Sequence, residues 1–190
     1  MSNITKNFAY AEFRTYGAPS TWLPLNDYQK FLIDNLAKNL QIIRDHLLAN
    51  CSMTITSAVR NEADFSRLSI LGYHPAEASD HYCGNAIMIN PSSKNFKKYG
   101  RYYYLSSGAA DIVPSGISVE ELFQLAVKLT RSDVCKFGQI ILEEDRSRNT
   151  KWVHFANDYN LIFSKDVINF LGREKFLTTN DGGKTYKIYN

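Results

Sequence analysis

The sequence predicts an α+β fold, a small and mostly antiparallel sheet packed on a long N-terminal helix. Apolar residues recur at helical spacing over residues 27–50, which is about six turns. Several later segments are short, β-branched or aromatic, and bounded by Gly, Pro or Asn, which favours strands. No repeat or low-complexity linker divides the 190 residues. That length can bury a real core, so we expect one domain over residues 1–190.

The N-terminal part of the chain carries clear helix signals. Residues 8–13 form a short amphipathic segment that we expect to make one or two helical turns, and residues 17–25 are typical of a loop broken by two prolines. Asn26 can cap the helix that follows. The apolar positions of this helix are Tyr28, Phe31, Leu32, Leu36, Leu40, Ile43, Leu47 and Leu48.

Two further helices and several strands follow. A short helix is expected over residues 62–70, and Ser118 with Glu121 forms a capping box that opens a helix through Arg131. A hairpin is expected in the tail, residues 175–190, around Asp181-Gly182-Gly183. Strands are expected at residues 52–59, 86–90, 101–105, 109–113, 137–143 and 152–156.

A tyrosine-rich insert interrupts the middle of the chain. Residues 86–90 are apolar, residues 91–100 carry three lysines, and residues 101–105 contain three consecutive tyrosines. Two strand-like runs around a polar loop indicate a hairpin or flap at about residues 87–107, placed just before Gly108.

Composition and charge exclude several classes of protein. A net charge of +3 is too small to indicate nucleic-acid binding. No apolar run reaches the roughly 18 residues that span a bilayer. The first residues lack the order of a signal peptide, so we expect synthesis in a cytoplasm, with release by lysis or association with a virion. Three unpaired cysteines indicate reduced thiols.

Three side chains are candidate metal ligands. His81 lies in Ser79-Asp80-His81, Asp111 in Gly108-Ala109-Ala110-Asp111-Ile112, and His154 in Trp152-Val153-His154. Two imidazoles and one carboxylate are a common ligand set for catalytic Zn²⁺, which keeps a fourth position for water. The alternatives are two core histidines and an aspartate that caps a turn. Cys83 is a weaker ligand candidate because cysteine ligands usually come in close pairs.

Arg60 ends a predicted strand just before a helix. Its planar guanidinium can point into a cleft and bind a carboxylate. The alternative is a surface salt bridge with Glu62 or Asp64.

Six short segments and the long helix follow one another in a recognisable order. The segments are residues 8–13, before the long helix, and then residues 55–60, 79–81, 108–112, 139–143 and 152–154. In this order they resemble the M15 zinc peptidases, in the branch of D-Ala-D-Ala carboxypeptidase-like and phage endolysin-like enzymes. The resemblance covers about residues 8–156 and leaves residues 157–190 as a C-terminal extension. It implies a metallopeptidase that cleaves cross-links or stem peptides of bacterial peptidoglycan.

The resemblance also implies roles for individual residues. Zn²⁺ would be held by the two histidines and the aspartate named above. Arg60 and Ser79 would hold a carboxylate or carbonyl of the substrate, with Trp152 also contacting it. Glu143 ends the strand that adjoins residues 152–154 and is the candidate proton acceptor, the alternative being a plain salt bridge. Its neighbour Glu144 is expected to point to the opposite face of the strand.

The chain departs from the family pattern at two places. His81 and Asp111 are thirty positions apart (111 − 81), whereas the family keeps them within one short motif, and Met88 stands where its aspartate is usual. Because residues 108–112 reproduce the end of that motif, we interpret residues 87–107 as an insert. Lys151 occupies a position that is acidic in many members and cannot serve as the same base.

Two other functions stay open from the sequence. The insert, the 12 tyrosines and Lys151 are compatible with a phage tail or baseplate protein that keeps the peptidase fold. A module that only binds wall sugars or peptides is the third hypothesis.

Overall fold

The computed structural model describes residues 3–13, 25–76, 79–84, 86–88, 103–158 and 175–190. Of the predicted loop at residues 17–25, only Leu25 is among them, and the lysine-rich residues 91–100 lie outside them. Across these ranges, no helix combines the length and apolarity needed to cross a bilayer.

The first helix, α1, spans Asp27–Asp45. Its N-terminus is the predicted one, because the Asn26 side chain accepts a hydrogen bond from Gln29 N and the Gln29 side chain accepts one from Asn26 N. The predicted C-terminus at residue 50 is wrong. The helix ends at Asp45 with His46 as its C-cap, and Leu48, which continues the apolar spacing, is 72% exposed. The buried stripe consists of Leu32, Ile33, Leu36, Ala37, Leu40 and Ile43.

Two more helices match their predicted positions. Helix α2 spans Glu62–Ile70 and begins at a capping box formed by Asn61 and Asp64. Helix α3 spans Val119–Arg131 and begins at the predicted box of Ser118 and Glu121. The predicted turn near the N-terminus is a 3-10 helix at Tyr10–Phe13.

The α+β class is confirmed, and the main sheet, which was predicted to be mostly antiparallel, is mixed. The strands are β1 Ser52–Ser57, β2 Ala86–Met88, β3 Tyr103–Leu105, β4 Ala109–Ser115, β5 Phe137–Asp145, β6 Thr150–Asn157, β7 Phe176–Thr179 and β8 Lys187–Ile188. Six of them form the main sheet in the order β1-β4-β6-β5-β7-β8. Four pairings are antiparallel, whereas β5 and β7 run parallel.

Both predicted hairpins are present. A separate antiparallel pair, β2–β3, is the hairpin of the insert. Strands β7 and β8 pair antiparallel at the edge of the main sheet and form the hairpin of the tail.

The two faces of the main sheet have different roles. Side chains alternate along each strand, so one face packs into the core with α1 and α3. Phe137 and Phe155 meet on this face, with ring centroids 5.0 Å apart. The other face carries Asp111, Glu143 and His154 and forms the floor of a cleft.

The insert leaves the domain and returns at adjacent points. Gly84 N donates to the carbonyl oxygen of Ser106 at 2.9 Å. Ser107 N donates to Oδ1 of the buried Asp80 at 3.0 Å. The chain on either side of the β2–β3 hairpin is therefore held together, close to His81.

Candidate metal centre

Three different elements supply the candidate ligands. His81 lies in the 3-10 helix Asp80–Tyr82, which Ser79 caps by accepting a hydrogen bond from His81 N. Asp111 is on β4 and His154 on β6, and the two are directly opposite in the antiparallel register. Residues far apart in sequence are thus fixed by one strand pair and one short helix.

The three side chains converge on one point. His81 Nε2 lies 3.1 Å from Asp111 Oδ1 and 3.2 Å from His154 Nδ1, and His154 Nδ1 lies 3.0 Å from the same Asp111 oxygen. All three residues are buried, with exposed fractions of 2%, 5% and 7% in chain order. This group can hold a metal ion, and it is the one such group in the described residues.

The second ring nitrogen of His81 determines which nitrogen can bind a metal. His81 Nδ1 lies 2.6 Å from the carbonyl oxygen of Ala58, which can only accept a hydrogen bond. Nδ1 therefore carries the proton, and in the neutral ring the lone pair of Nε2 faces Asp111 and His154. Metal-binding histidines are oriented in this way by a carbonyl or carboxylate on the other nitrogen.

Electrostatics favour an ionised carboxylate between the two rings. Burial and the charge of Arg60 lower the pKa of His81. Burial would lower the pKa of His154 as well, but its hydrogen bond to Asp111 and the charge of Asp111 raise it above the usual value. Burial opposes ionisation of Asp111, yet its neighbours His81, His154 and Arg60 together hold its pKa well below the usual range.

Arg60 pairs with the candidate ligand Asp111 rather than with its sequence neighbours. Its NH2 group lies 2.7 Å from Asp111 Oδ2, and its Nε donates to Ser57 Oγ at 2.9 Å. The alternative of a surface salt bridge with Glu62 or Asp64 is wrong, because the guanidinium reaches across β1 to the buried carboxylate on β4. Arg60 also lines the cleft, where a substrate could reach it.

Glu143 lies in the same cleft as the three candidate ligands. The cleft has a volume of about 850 Å³, and Ser79 and Trp152 line it too. Glu143 is opposite Trp152 in the β5–β6 register, two positions along each strand from the Ile141–His154 pair. Burial, with the negative charge of Asp111 adding to it, raises the pKa of Glu143 to about 7. In the described part of the chain, its carboxylate accepts no hydrogen bond.

Lys151 and Cys83 do not join the metal group. The Lys151 ammonium lies 2.5 Å from Glu120 Oε1 and 3.6 Å from Glu144 Oε1. Since Lys151 and Glu144 are register partners one residue from Trp152 and Glu143, this ion pair belongs to the opposite face of the sheet, as expected for Glu144. Cys83 is buried, which raises the pKa of its thiol to about 12.

The C-terminal hairpin forms one wall of the cleft. The hairpin itself was predicted from the sequence, but its position beside the candidate site was not. Leu177, Gly182, Gly183 and Tyr186 line this side. The opposite side is built by α2 and by residues 73–76, which include His74. Only the Asp181-Gly182-Gly183 turn signal was visible in the sequence, and a turn signal does not say where a hairpin docks.

Comparisons with known proteins found no match. The chain matches no protein-family model, and no curated protein sequence or solved structure is significantly similar to it.

Proposed function

We propose that this protein is a zinc-dependent peptidase that cleaves cross-links or stem peptides of bacterial peptidoglycan. One observation carries the proposal: a single cleft brings together a buried His-Asp-His group and a carboxylate, Glu143, whose pKa is about 7. The class of reaction follows from that combination. The class of substrate rests on the resemblance of the sequence motifs to the M15 peptidases.

The spacing of the candidate ligand atoms supports zinc. Tetrahedral Zn²⁺ with bonds of about 2.0–2.2 Å places its ligand atoms roughly 3.3–3.6 Å apart, so the ligand atoms need to separate by only a few tenths of an ångström to hold it. The three nitrogen and oxygen atoms here are 3.0, 3.1 and 3.2 Å apart. Three protein ligands are also the number that a catalytic zinc uses, since its fourth position is kept for water or substrate.

In this proposal each of the candidate site residues has a defined role. Bound Zn²⁺ supplies Lewis-acid polarisation of the scissile carbonyl and an acidified water. Glu143 accepts the proton of the attacking water and returns it to the departing amine, and a pKa near 7 suits both transfers. Arg60 holds Asp111 with one N–H donor and Ser57 with another, and its other donors can bind a substrate carboxylate or carbonyl. Ser79 and Trp152 complete the substrate-binding surface in this proposal.

Lys151 is compatible with this assignment. Its charge is paired with Glu120 and Glu144 on the far face of the sheet, so it does not place an unpaired cation beside the metal group.

The test is metal analysis combined with digestion of purified peptidoglycan. Zinc-loaded protein should release new amino groups, and chelation should stop the release. Zinc bound at one equivalent with no release of amines would overturn the peptidase and leave the phage structural protein as the better hypothesis. Wall binding that survives chelation would favour the binding module instead.

A further inference from the structure

The C-terminal hairpin places a tyrosine in the cleft. Tyr186 lies just before β8, beyond the residues that resemble the M15 family, and it lines the same cleft as Glu143 and the metal group. Its side chain is 43% exposed. Among the described residues its hydroxyl makes no hydrogen bond, so the hydroxyl is available to a molecule in the cleft.

The turn that carries Tyr186 is attached to the strand that carries Glu143. Gly182 N donates to the carbonyl oxygen of Glu144 at 3.0 Å. The Asp181 carboxylate accepts from Thr179 Oγ1 at 2.8 Å and from the backbone N–H groups of Lys184 and Thr185, both at 3.0 Å. A turn with this many internal bonds holds Tyr186 in one place relative to β5.

Gly183 provides the space for the tyrosine hydroxyl. Its φ of +85° favours glycine, and a Cβ at this position would lie 2.9 Å from Tyr186 Oη. The same Cβ would lie 4.0 Å from the carbonyl oxygen of His74, on the opposite wall. The hairpin turn therefore approaches the far side of the cleft at the point where the hydroxyl sits.

We propose that Tyr186 is a substrate-contacting residue whose hydroxyl donates a hydrogen bond to a peptide oxygen held in the cleft. A neutral phenol is a good donor, and burial together with the charges of Glu143 and Asp111 raises the pKa of Tyr186, which keeps the proton on the oxygen. The acceptor is a backbone carbonyl or a terminal carboxylate of the peptide. This inference rests on the proposed peptidase function for the identity of its ligand.

The test compares Tyr186→Phe with Tyr189→Phe. Tyr189 belongs to the same hairpin but packs against Phe123 at a ring distance of 4.9 Å, outside the cleft. Peptidoglycan stem peptides with free and amidated C-termini are used in two assays, calorimetric binding and hydrolysis by the zinc-loaded protein. Tyr186→Phe should weaken binding and lower kcat/KM roughly 3- to 10-fold, the effect of one neutral hydrogen bond, whereas Tyr189→Phe should match the wild type.

The outcomes separate this inference from the proposed function. A loss with both peptides assigns the bond to a backbone carbonyl, and a loss with the free acid alone assigns it to the carboxylate. If the wild type binds the peptides without cleaving them and Tyr186→Phe binds more weakly, the contact stands and the peptidase fails. If Tyr186→Phe binds and cleaves like the wild type, the contact is overturned and the peptidase stands. Absence of binding by the wild type overturns both.

Discussion

Arg60 donates to Oδ2 of Asp111 across 2.7 Å, while Oδ1 of the same carboxylate faces the two imidazoles. The two oxygens of Asp111 thus have separate partners. One is held by a guanidinium that is itself anchored to Ser57, and the other is left as a candidate ligand atom. Under the proposed function, Arg60 is therefore a positioning residue for Asp111 as well as a candidate for contact with substrate.

Arg60→Gln should lower the affinity for Zn²⁺ about 10- to 100-fold, the usual effect of removing a group that orients a ligand. Competition with a calibrated chelator measures this. Arg146→Gln is the matched control, because Arg146 is a largely exposed partner of Glu144. An affinity in Arg60→Gln equal to that of the control would mean that Asp111 needs no second partner.

Zinc should raise the melting temperature of the protein. A ligand that binds only the folded state at about 100 times its Kd adds about 2.7 kcal/mol to the free energy of unfolding. His154→Ala should abolish the effect, and His46→Ala should keep it, since His46 is exposed and its Nδ1 lies 2.8 Å from the Ile42 carbonyl oxygen, away from the metal group. Differential scanning calorimetry with and without zinc decides the matter. A zinc response that survives His154→Ala would place the ion elsewhere.

Glu143→Gln should reduce kcat by roughly 10²- to 10⁴-fold with its zinc content unchanged, because the amide keeps the shape of the side chain but cannot accept the proton. Glu144→Gln is the control, since that carboxylate lies on the opposite face beside Lys151. Single-turnover hydrolysis of a stem peptide, paired with metal analysis, gives both readouts. Equal rates in the two variants would remove Glu143 from the mechanism.

Asp181 should make the stability of the C-terminal hairpin dependent on pH. Hydrogen bonds from Thr185 and its neighbours hold the pKa of Asp181 below its usual value. A depressed folded-state pKa contributes stability that is complete above the unfolded value of about 3.9 and is lost as the pH falls below it. Asp181→Asn should therefore melt lower than the wild type at pH 7, with a gap that narrows from about pH 4 downward.

Asp133→Asn serves as the reference for that comparison. Asp133 is exposed and, in the described structure, its carboxylate pairs only with Lys136, across 3.5 Å. Its φ is +57°, a backbone conformation that asparagine tolerates, so the substitution removes the charge without new strain. A melting difference for Asp181→Asn that is the same at pH 7 and pH 3 would show that the carboxylate charge is unimportant in the turn.

Local signals in the sequence predicted the helices well where a capping residue marks the start of the helix. The Ser118–Glu121 box and the range of α2 both agree with the structure. The end of α1 was missed because Leu47 and Leu48 keep the apolar spacing, and spacing alone does not show that Leu47 packs on the core from outside the helix while Leu48 is exposed. The parallel pairing of β5 with β7 was not predicted either, because no local signal in the sequence indicates which distant segments pair.

In the candidate site, too, the features marked by local motifs were predicted and those that depend on tertiary contacts were not. The grouping of His81, Asp111 and His154 was predicted from motifs, and the structure places the three together. For Arg60, the sequence indicated a place in a cleft or a salt bridge with a nearby acid, but not its partner Asp111, which is 51 positions away on another strand. Tyr186 carries no motif, and its place in the cleft follows from tertiary docking of the hairpin.

The residues that flank the β2–β3 insert are in contact, because Gly84 N donates a hydrogen bond to the carbonyl oxygen of Ser106. A segment that starts and finishes at touching residues can change length at little entropic cost, since closure entropy grows only slowly with loop size. Replacing residues 85–105 by a short glycine linker should therefore leave His81, Asp111 and His154 grouped as they are. Zinc titration of the shortened protein would check this. That outcome would mean that the insert is replaceable, with the grouping of His81, Asp111 and His154 determined by the rest of the domain.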